Sequence, residues 1–345
     1  MFAFVLILKA IKFVEMLELA ASAGKETCVG RRAALVATRH LFLTSPLLLL
    51  PRTSWGSTGF SPTASMDIPA AANVDRRYHL DGMESNSPKL QIVADPKTYS
   101  SLAFAPPNNN GKTPLILVLH GAGRNDQDIR QDLADPYGEH AGLIPSLIES
   151  GNAPHNLLQN FAVLAPYSYG KSSFYSDSRT KLLDFCDWAV QNQNTETLPI
   201  QFDPNRIILF GFSDGATVAV ELLTTRRFAA GVICSYGYSG KTLPAAALDR
   251  LSNLPIWVFH SQDDVIFDVQ NSDRLVHQLE TVNEKQGRSD MVRYSKYTKD
   301  PENLPPRVRG HSMGITASKM PELYDWMLHV SKLPFQSQLT EANPS

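Results

Sequence analysis

Gly211-Phe212-Ser213-Asp214-Gly215 constrains this chain more than any other stretch. An apolar run, Ile207 to Phe210, precedes it, and a helix-like run from Ala216 to Leu223 follows. The order is strand, sharp turn, helix, with a serine at the apex. Such a turn forces the serine into a strained backbone conformation. Side chains two residues before and after it would clash, so glycine is favoured at both places. A Gly-rich turn with no further role is the bland alternative, and the flanking residues separate the two. A continuous apolar run marks a buried parallel strand. Ala216, Val218, Ala219, Val220, Leu222 and Leu223 make the following helix apolar on most sides, as a helix packed inside a domain is.

Strand-like and helix-like segments alternate on either side of this turn. Strands are predicted at Tyr99–Ala105, Pro114–Leu119, Phe161–Ala165, Gly231–Ser235, Ile256–His260 and Met291–Tyr297. Helical segments are predicted within 128–150, broken by Pro136 and Pro145, at Lys181–Gln193, at Ser272–Val282 and from Pro321 onward. Alternation of this kind implies an α/β fold with a mainly parallel central sheet and helices on both faces. The expected organisation is an N-terminal extension over 1–75, one catalytic domain over 76–335 and a disordered tail over 336–345. No long insertion separates Ser213 from the segment near residue 264, so no large lid is expected.

Composition narrows the classes. The formal net charge is −2 over 345 residues, so nothing in it suggests a nucleic-acid partner. Three cysteines, Cys28, Cys186 and Cys234, make neither a disulfide framework nor a zinc motif. The first 75 residues differ from the rest. Residues 2–14 are apolar but carry Lys9 and Lys12 and are too short to span a bilayer. From Thr27 to Ser65 no acidic residue occurs, while Arg31, Arg32, Arg39 and Arg52 lie among many Ser and Thr. Acid-poor, Arg- and Ser-rich composition is that of organelle transit peptides. Arg31-Arg32 followed by apolar patches also loosely resembles a twin-arginine signal. A plastid or thylakoid-lumen address is the leading expectation, with a mitochondrial address, a secretory address and a merely disordered extension as the alternatives.

A serine hydroxyl is a poor nucleophile until a base takes its proton. The base needs an orienting carboxylate, and the oxyanion that forms needs N–H donors. The chain order Ser, acid, His is one of the known solutions. Asp263 and Asp264 both lie just past the 256–260 strand, where the acid is expected, and Asp264 is preferred. The other aspartate of the pair is read as a turn or helix cap. His311 follows Gly310 in a loop between the last strand and the last helix. His277 falls inside a predicted helix, and His329 near the end of one, so neither suits the role of base. Upstream, His120-Gly121-Ala122-Gly123 directly follows the 114–119 strand. The N–H groups of Ala122 and Asp214 are the expected oxyanion donors, and His120 is expected to hold the loop by hydrogen bonds. Tyr167, Tyr169, Phe174, Tyr175, Tyr236 and Tyr238 are candidates for an acyl or aryl pocket, with plain surface packing the alternative for several of them.

Together these residues resemble the α/β-hydrolase superfamily, over about residues 90–332. More narrowly they resemble the esterase group of phospholipase/carboxylesterases, polyhydroxybutyrate-depolymerase-like esterases and "predicted peptidases". LILVLHGAGRND is similar to that group's oxyanion strand and loop, and FDPNRIILFGFSDGA to its elbow. LPIWVFHSQDDVIFDVQNSDRL is similar to the acid strand and aligns Asp264 with the acid. GHSMGITASKMPELYDWML is similar to the histidine loop and closing helix. Two departures stand out. Asp214 follows the nucleophile where relatives often carry Met, Leu or Gln, and Val265-Ile266-Phe267-Asp268 replaces a Val-Pro-bearing turn. The resemblance implies a serine hydrolase acting on small-molecule carboxylic esters, with catalytic Ser213, Asp264 and His311 and no metal or organic cofactor. A serine peptidase of the same fold and a non-catalytic binding protein of that fold are the alternatives, separated from it by amide substrates and by fluorophosphonate labelling. For the extension, N-terminal sequencing of mature native protein is expected to find a start between residues 25 and 75. Met1 at the mature terminus would overturn that expectation.

Overall fold

Strong alternation within buried strands decides how this sheet is covered. The structure, a computed structural model, describes residues 90–332 apart from 124–127, 170–173, 238–242, 289 and 303. The expected extension over 1–75 and tail over 336–345 lie outside the described residues. The strands are β1 (Gln91–Ala94), β2 (Ser100–Phe104), β3 (Leu115–Leu119), β4 (Ala162–Pro166), β5 (Ile207–Phe212), β6 (Ala230–Cys234), β7 (Ile256–Ser261) and β8 (Val292–Tyr297). They form one sheet in the order β1-β2-β4-β3-β5-β6-β7-β8. β1 and β2 pair antiparallel with each other and β2 pairs antiparallel with β4, while the pairs from β4 through β8 are parallel.

Successive side chains of a strand point to opposite faces. In β3, Leu115, Leu117 and Leu119 enter one core, and Ile116 and Val118 enter the other. In β5, Ile207 and Leu209 join the first, and Ile208 and Phe210 the second. The first core is closed by α4 (Arg179–Asn192), α5 (Asp214–Leu223), α6 (Ala245–Leu251) and α7 (Gln270–Lys285). The second is closed by α1 (Ile129–Leu133), α2 (Ile144–Glu149), α3 (His155–Asn160), α8 (Met313–Ser318) and α9 (Pro321–Val330). The expected mainly parallel sheet with helices on both faces is therefore what forms. No described helix is long and apolar enough to cross a membrane.

Several elements differ from expectation at their edges. β1, α3, α6 and α8 have no counterpart in the sequence reading. Each is short, so periodicity had too few residues to register. Pro166 ends β4 from inside the strand, opposite Ser101 of β2. Proline has no N–H to give the ladder, and the next N–H, that of Tyr167, donates to the Ser100 carbonyl at 2.9 Å. α4 begins two residues before Lys181, where the Ser178 side chain accepts from the Thr180 N–H as an N-cap does.

One polar pair sits inside the second core, at the carboxyl end of β3. The rings of His120 and His140 lie 4.8 Å apart, and both residues are buried. His140 is packed among Val118, Leu133, Leu143, Pro145 and Ala165, and its Nε2 has no hydrogen-bond partner. Burial holds the His140 imidazole down to about 4. It holds His120 down to about 3, with the repulsion of His140 adding to it. An unfolded histidine titrates near 6.5, so the folded state binds fewer protons than the unfolded one below that pH. Stability is complete above about pH 6.5 and is lost as pH falls toward 4. In denaturant titrations at pH 7.5 and pH 5, the native protein is expected to lose stability at the lower pH. His140→Leu is expected to lose less, because it removes one of the two buried bases without orphaning a hydrogen bond.

Candidate active site

Ser213 occupies the turn between β5 and α5 with φ 56° and ψ −121°. A non-glycine residue there stores about 1–3 kcal/mol of strain. The surroundings impose it. The Ser213 N–H donates to the Cys234 carbonyl at 3.0 Å, while the Ser213 carbonyl already accepts from Ala216 and Thr217 N–H. The residue thus ends a strand with one peptide group and starts a helix with the next. A Cβ at position 215 would overlap the carbonyl oxygens of Leu119 and His120. One at 211 would come within 2.5 Å of the Gly215 oxygen and 2.7 Å of Ala216 Cα. Both glycines therefore permit one thing, the close seating of the first turn of α5 against β3 and β5.

Three side chains meet at this turn. His311 Nε2 lies 2.8 Å from Ser213 Oγ, and His311 Nδ1 lies 2.8 Å from Asp264 Oδ2. An ionised carboxylate only accepts, so Nδ1 carries hydrogen and Nε2 is left to accept the serine proton. The Asp264 side chain is fully enclosed and His311 is 10 % exposed. Burial alone would push the Asp264 carboxyl up. Hydrogen bonds from His260 and His311, the charge of His311 and the Phe267 N–H overcome it and hold the group down at about 2. Asp264 Oδ1 accepts from the N–H groups of Ile266 at 2.8 Å and Phe267 at 2.9 Å. The departure from a Val-Pro turn matters here, since a proline at 266 would have no hydrogen to give.

The histidine loop is fastened by the other aspartate. Asp263 Oδ1 accepts from Ser261 Oγ at 2.5 Å and from the Asp300 N–H at 3.0 Å. Asp300 in turn accepts from both the N–H and the hydroxyl of Ser312, next to His311. Val265 N–H reaches the Arg309 carbonyl at 3.0 Å, and Gly310, at φ +77°, is pressed against the backbone of Asp263 and Asp264. The ring of His311 lies between Phe212, at 5.4 Å, and Phe267, at 5.3 Å. Asp263 is thus a scaffold for the loop rather than a cap of the turn alone.

The loop after β3 comes up against the serine. A Cβ built on Gly121 would lie 3.0 Å from Ser213 Cβ. The buried His120 ring sets the orientation of this loop. Its Nδ1 is 2.7 Å from the Gly121 carbonyl, an acceptor, and its Nε2 is 3.1 Å from the Ser168 N–H, a donor. Nδ1 therefore donates and Nε2 accepts. In a trans peptide the C=O and N–H point in opposite directions. Holding the Gly121 oxygen toward His120 turns the Ala122 N–H away from it. The Asp214 N–H is the first of α5 and has no intrahelical acceptor. No hydrogen bond or ion pair engages the Asp214 carboxylate among the described residues.

The aromatic candidates separate. Phe174 and Tyr236 are buried, and Phe174 packs on His120 at 4.6 Å. Tyr167 is buried and donates its hydroxyl to Asp132. Phe174 and Tyr236 belong to the first core and Tyr167 to the second, where Tyr167 also lines a cavity with Tyr169 and Tyr99. Tyr169 and Tyr175 are exposed, and Tyr238 lies outside the described residues. His277 and His329 are exposed on α7 and α9, away from the role of base. Sequence reasoning did not find the contact of His260 with Asp264, or Asp300 as the anchor of the histidine loop. The position of His260 at a strand end, four residues before the acid, was the one available signal.

Comparisons with known proteins agree with this architecture. The phospholipase/carboxylesterase family matches residues 171–303, a stretch that holds Ser213 and Asp264. Among solved structures, a thermostable esterase aligns with a TM-score of 0.53 at 24 % identity, over 70 % of this chain and 63 % of that one. This chain therefore spans less than two thirds of that esterase's length. An α/β hydrolase from a Medee basin deep-sea metagenome library aligns with a TM-score of 0.46 at 14 % identity, over 72 % of this chain and 99 % of that one. A search of curated proteins finds no match. The fold is that of the α/β hydrolases. Gly215→Ala is expected to lower stability by about 1–3 kcal/mol, as overpacking against backbone does, because α5 must lift off β3. Thermal unfolding checks this, and an unchanged melting temperature would contradict the close seating.

Proposed function

We propose that this chain, an α/β hydrolase by fold, is a serine esterase that cleaves carboxylic esters through an acyl-enzyme. The observation that supports it most is the unbroken line Asp264–His311–Ser213, with 2.8 Å at each step. Ser213 Oγ attacks the ester carbonyl while His311 Nε2 takes its proton. The imidazolium that forms is stabilised by the Asp264 carboxylate, which stays ionised. The carbonyl oxygen becomes an oxyanion held by the N–H groups of Ala122 and Asp214. His311 then returns the proton to the leaving alcohol. Water, activated by the same imidazole, cleaves the acyl-enzyme and restores the serine. Each step is proton or acyl transfer and calls on no metal or organic cofactor.

The substrate class proposed is soluble esters of modest size. Between Ser213 and Asp264 the described residues form α5, β6, α6 and β7 with short connections, which leaves little chain for a large cap. The seat of Asp214 adds a further leaning. A carboxylate next to the oxyanion disfavours negative charge on the substrate close to the reacting carbon.

Ser213→Ala is expected to lower kcat on p-nitrophenyl acetate or butyrate by about 10⁴-fold or more, with the fold unchanged by circular dichroism. A fluorophosphonate probe should label the native protein and leave the variant untouched. Hydrolysis at the native rate by Ser213→Ala would end this reading.

A further inference from the structure

A second imidazole touches the carboxylate that orients His311. His260 is the penultimate residue of β7 and is fully enclosed. Its Nε2 lies 3.0 Å from the Phe267 carbonyl and 3.3 Å from Asp264 Oδ2. Both are acceptors, so Nε2 carries hydrogen and shares it between them. Its Nδ1 lies 2.7 Å from Ser272 Oγ, and Ser272 is itself fully buried at the start of α7. With hydrogen on Nε2, Nδ1 takes the hydroxyl hydrogen of Ser272. The same oxygen of Asp264 that accepts from His311 thus accepts from His260 as well. Oδ1 is filled by the N–H groups of Ile266 and Phe267. Every acceptor position of the carboxylate is thus taken.

We infer that His260 is a positioning residue for the reaction, one that holds Asp264 through the same oxygen as His311 and tempers its negative charge. The inference rests on the roles proposed above for Ser213, His311 and Asp264. Its physical content is a competition for one oxygen. A donor on Oδ2 spreads the charge that the His311 imidazolium would otherwise feel in full. The imidazolium is then held less tightly and sheds its proton at lower pH, so the base is available under more acidic conditions. Ser272 matters because it keeps the His260 ring in the donating tautomer. Without it, hydrogen can move to Nδ1, and Nε2 would then present a lone pair to two oxygens.

Apart from Asp214, the other charged groups around this site are engaged elsewhere. Asp263 is bound by Ser261 and Asp300 and faces Arg309 at 3.9 Å. Asp300 is bound by Ser312 and Glu302 N–H. Lys296, opposite His260 on β8, is paired with Asp273. Asp214, after the nucleophile, is common to every variant below. None of these changes when His260 is replaced, so a shift in the pH profile is assigned to the shared oxygen.

The test is the pH dependence of kcat/KM on a short p-nitrophenyl ester, whose acid limb reports the base of the free enzyme. His260→Leu is expected to move that limb upward by about half a unit. On the plateau kcat should fall about tenfold, the worth of one hydrogen bond to a charged group, with KM within about twofold. His260→Gln, which keeps an N–H near the position of Nε2, is expected to restore most of kcat and return the limb toward the native position. Ser272→Ala should move the limb in the same direction by a smaller amount and serves where His260→Leu does not fold. A folded His260→Leu with native limb and kcat overturns the inference, as does a His260→Gln that behaves like His260→Leu. If His260→Leu does not fold, native behaviour of Ser272→Ala overturns it. Ser213→Ala run alongside separates the two levels. If Ser213→Ala is inactive while the His260 variants match the native enzyme, only this inference fails. If Ser213→Ala still hydrolyses the ester, the esterase reading fails with it.

Discussion

The first turn of α5 sits so close to the ends of β3 and β5 that no side-chain carbon fits at Gly211 or Gly215, and the rest of the site follows from that contact. It holds Ser213 at φ 56°, which turns the chain from strand to helix at the serine. It also brings the Gly121 backbone against Ser213. The proposed nucleophile and the loop that carries one proposed oxyanion donor are thereby brought together by one packing event. The strain of about 1–3 kcal/mol at such a residue is small beside what the two apolar layers around β3 and β5 supply, since each fully buried Leu, Ile or Phe contributes about 1.5–3 kcal/mol.

Around that contact the chain uses histidines in three different ways, and environment alone sets them apart. His311 sits at the surface of the site between two aromatic rings, with an acceptor on one nitrogen and a hydroxyl on the other. His120 is sealed beside another imidazole, so burial keeps it neutral and its two nitrogens act as fixed donor and fixed acceptor. It therefore serves the loop and takes no part in proton exchange. His260 is sealed too, but its hydrogen lies on the acid. Three identical side chains thus provide the proposed base, a loop clamp and a partner of the carboxylate, because each meets a different set of donors and acceptors.

Two aspartates adjacent in sequence also part company. Asp264 turns inward to the imidazoles, and Asp263 turns to Ser261 and Asp300 and so to the loop that carries His311. Adjacent side chains leave a chain in different directions, so a pair of this kind can serve chemistry and scaffold at once. The proposed acid depends on its neighbour, because a loop that let His311 drift would undo the geometry as surely as loss of the carboxylate.

Sequence alone determined the elements with long apolar runs, the parallel alternation, the elbow and the residues that the structure brings together at it. These are local patterns: a strand of five apolar residues, glycines two places either side of a serine, a glycine before a histidine. It also pointed to Asp264 over Asp263 by likeness to other chains. It passed over short elements such as β1, α3, α6 and α8, because a few residues carry too little periodicity, and it offered core aromatics such as Phe174 and Tyr236 as pocket walls. Only the tertiary structure decided which way each side chain faces. His260 and Asp300 acquire their roles from partners between 4 and 37 residues away in sequence, across strand ends and loops. Composition cannot encode that direction, because it is set by how the sheet is paired and by which helix closes over it.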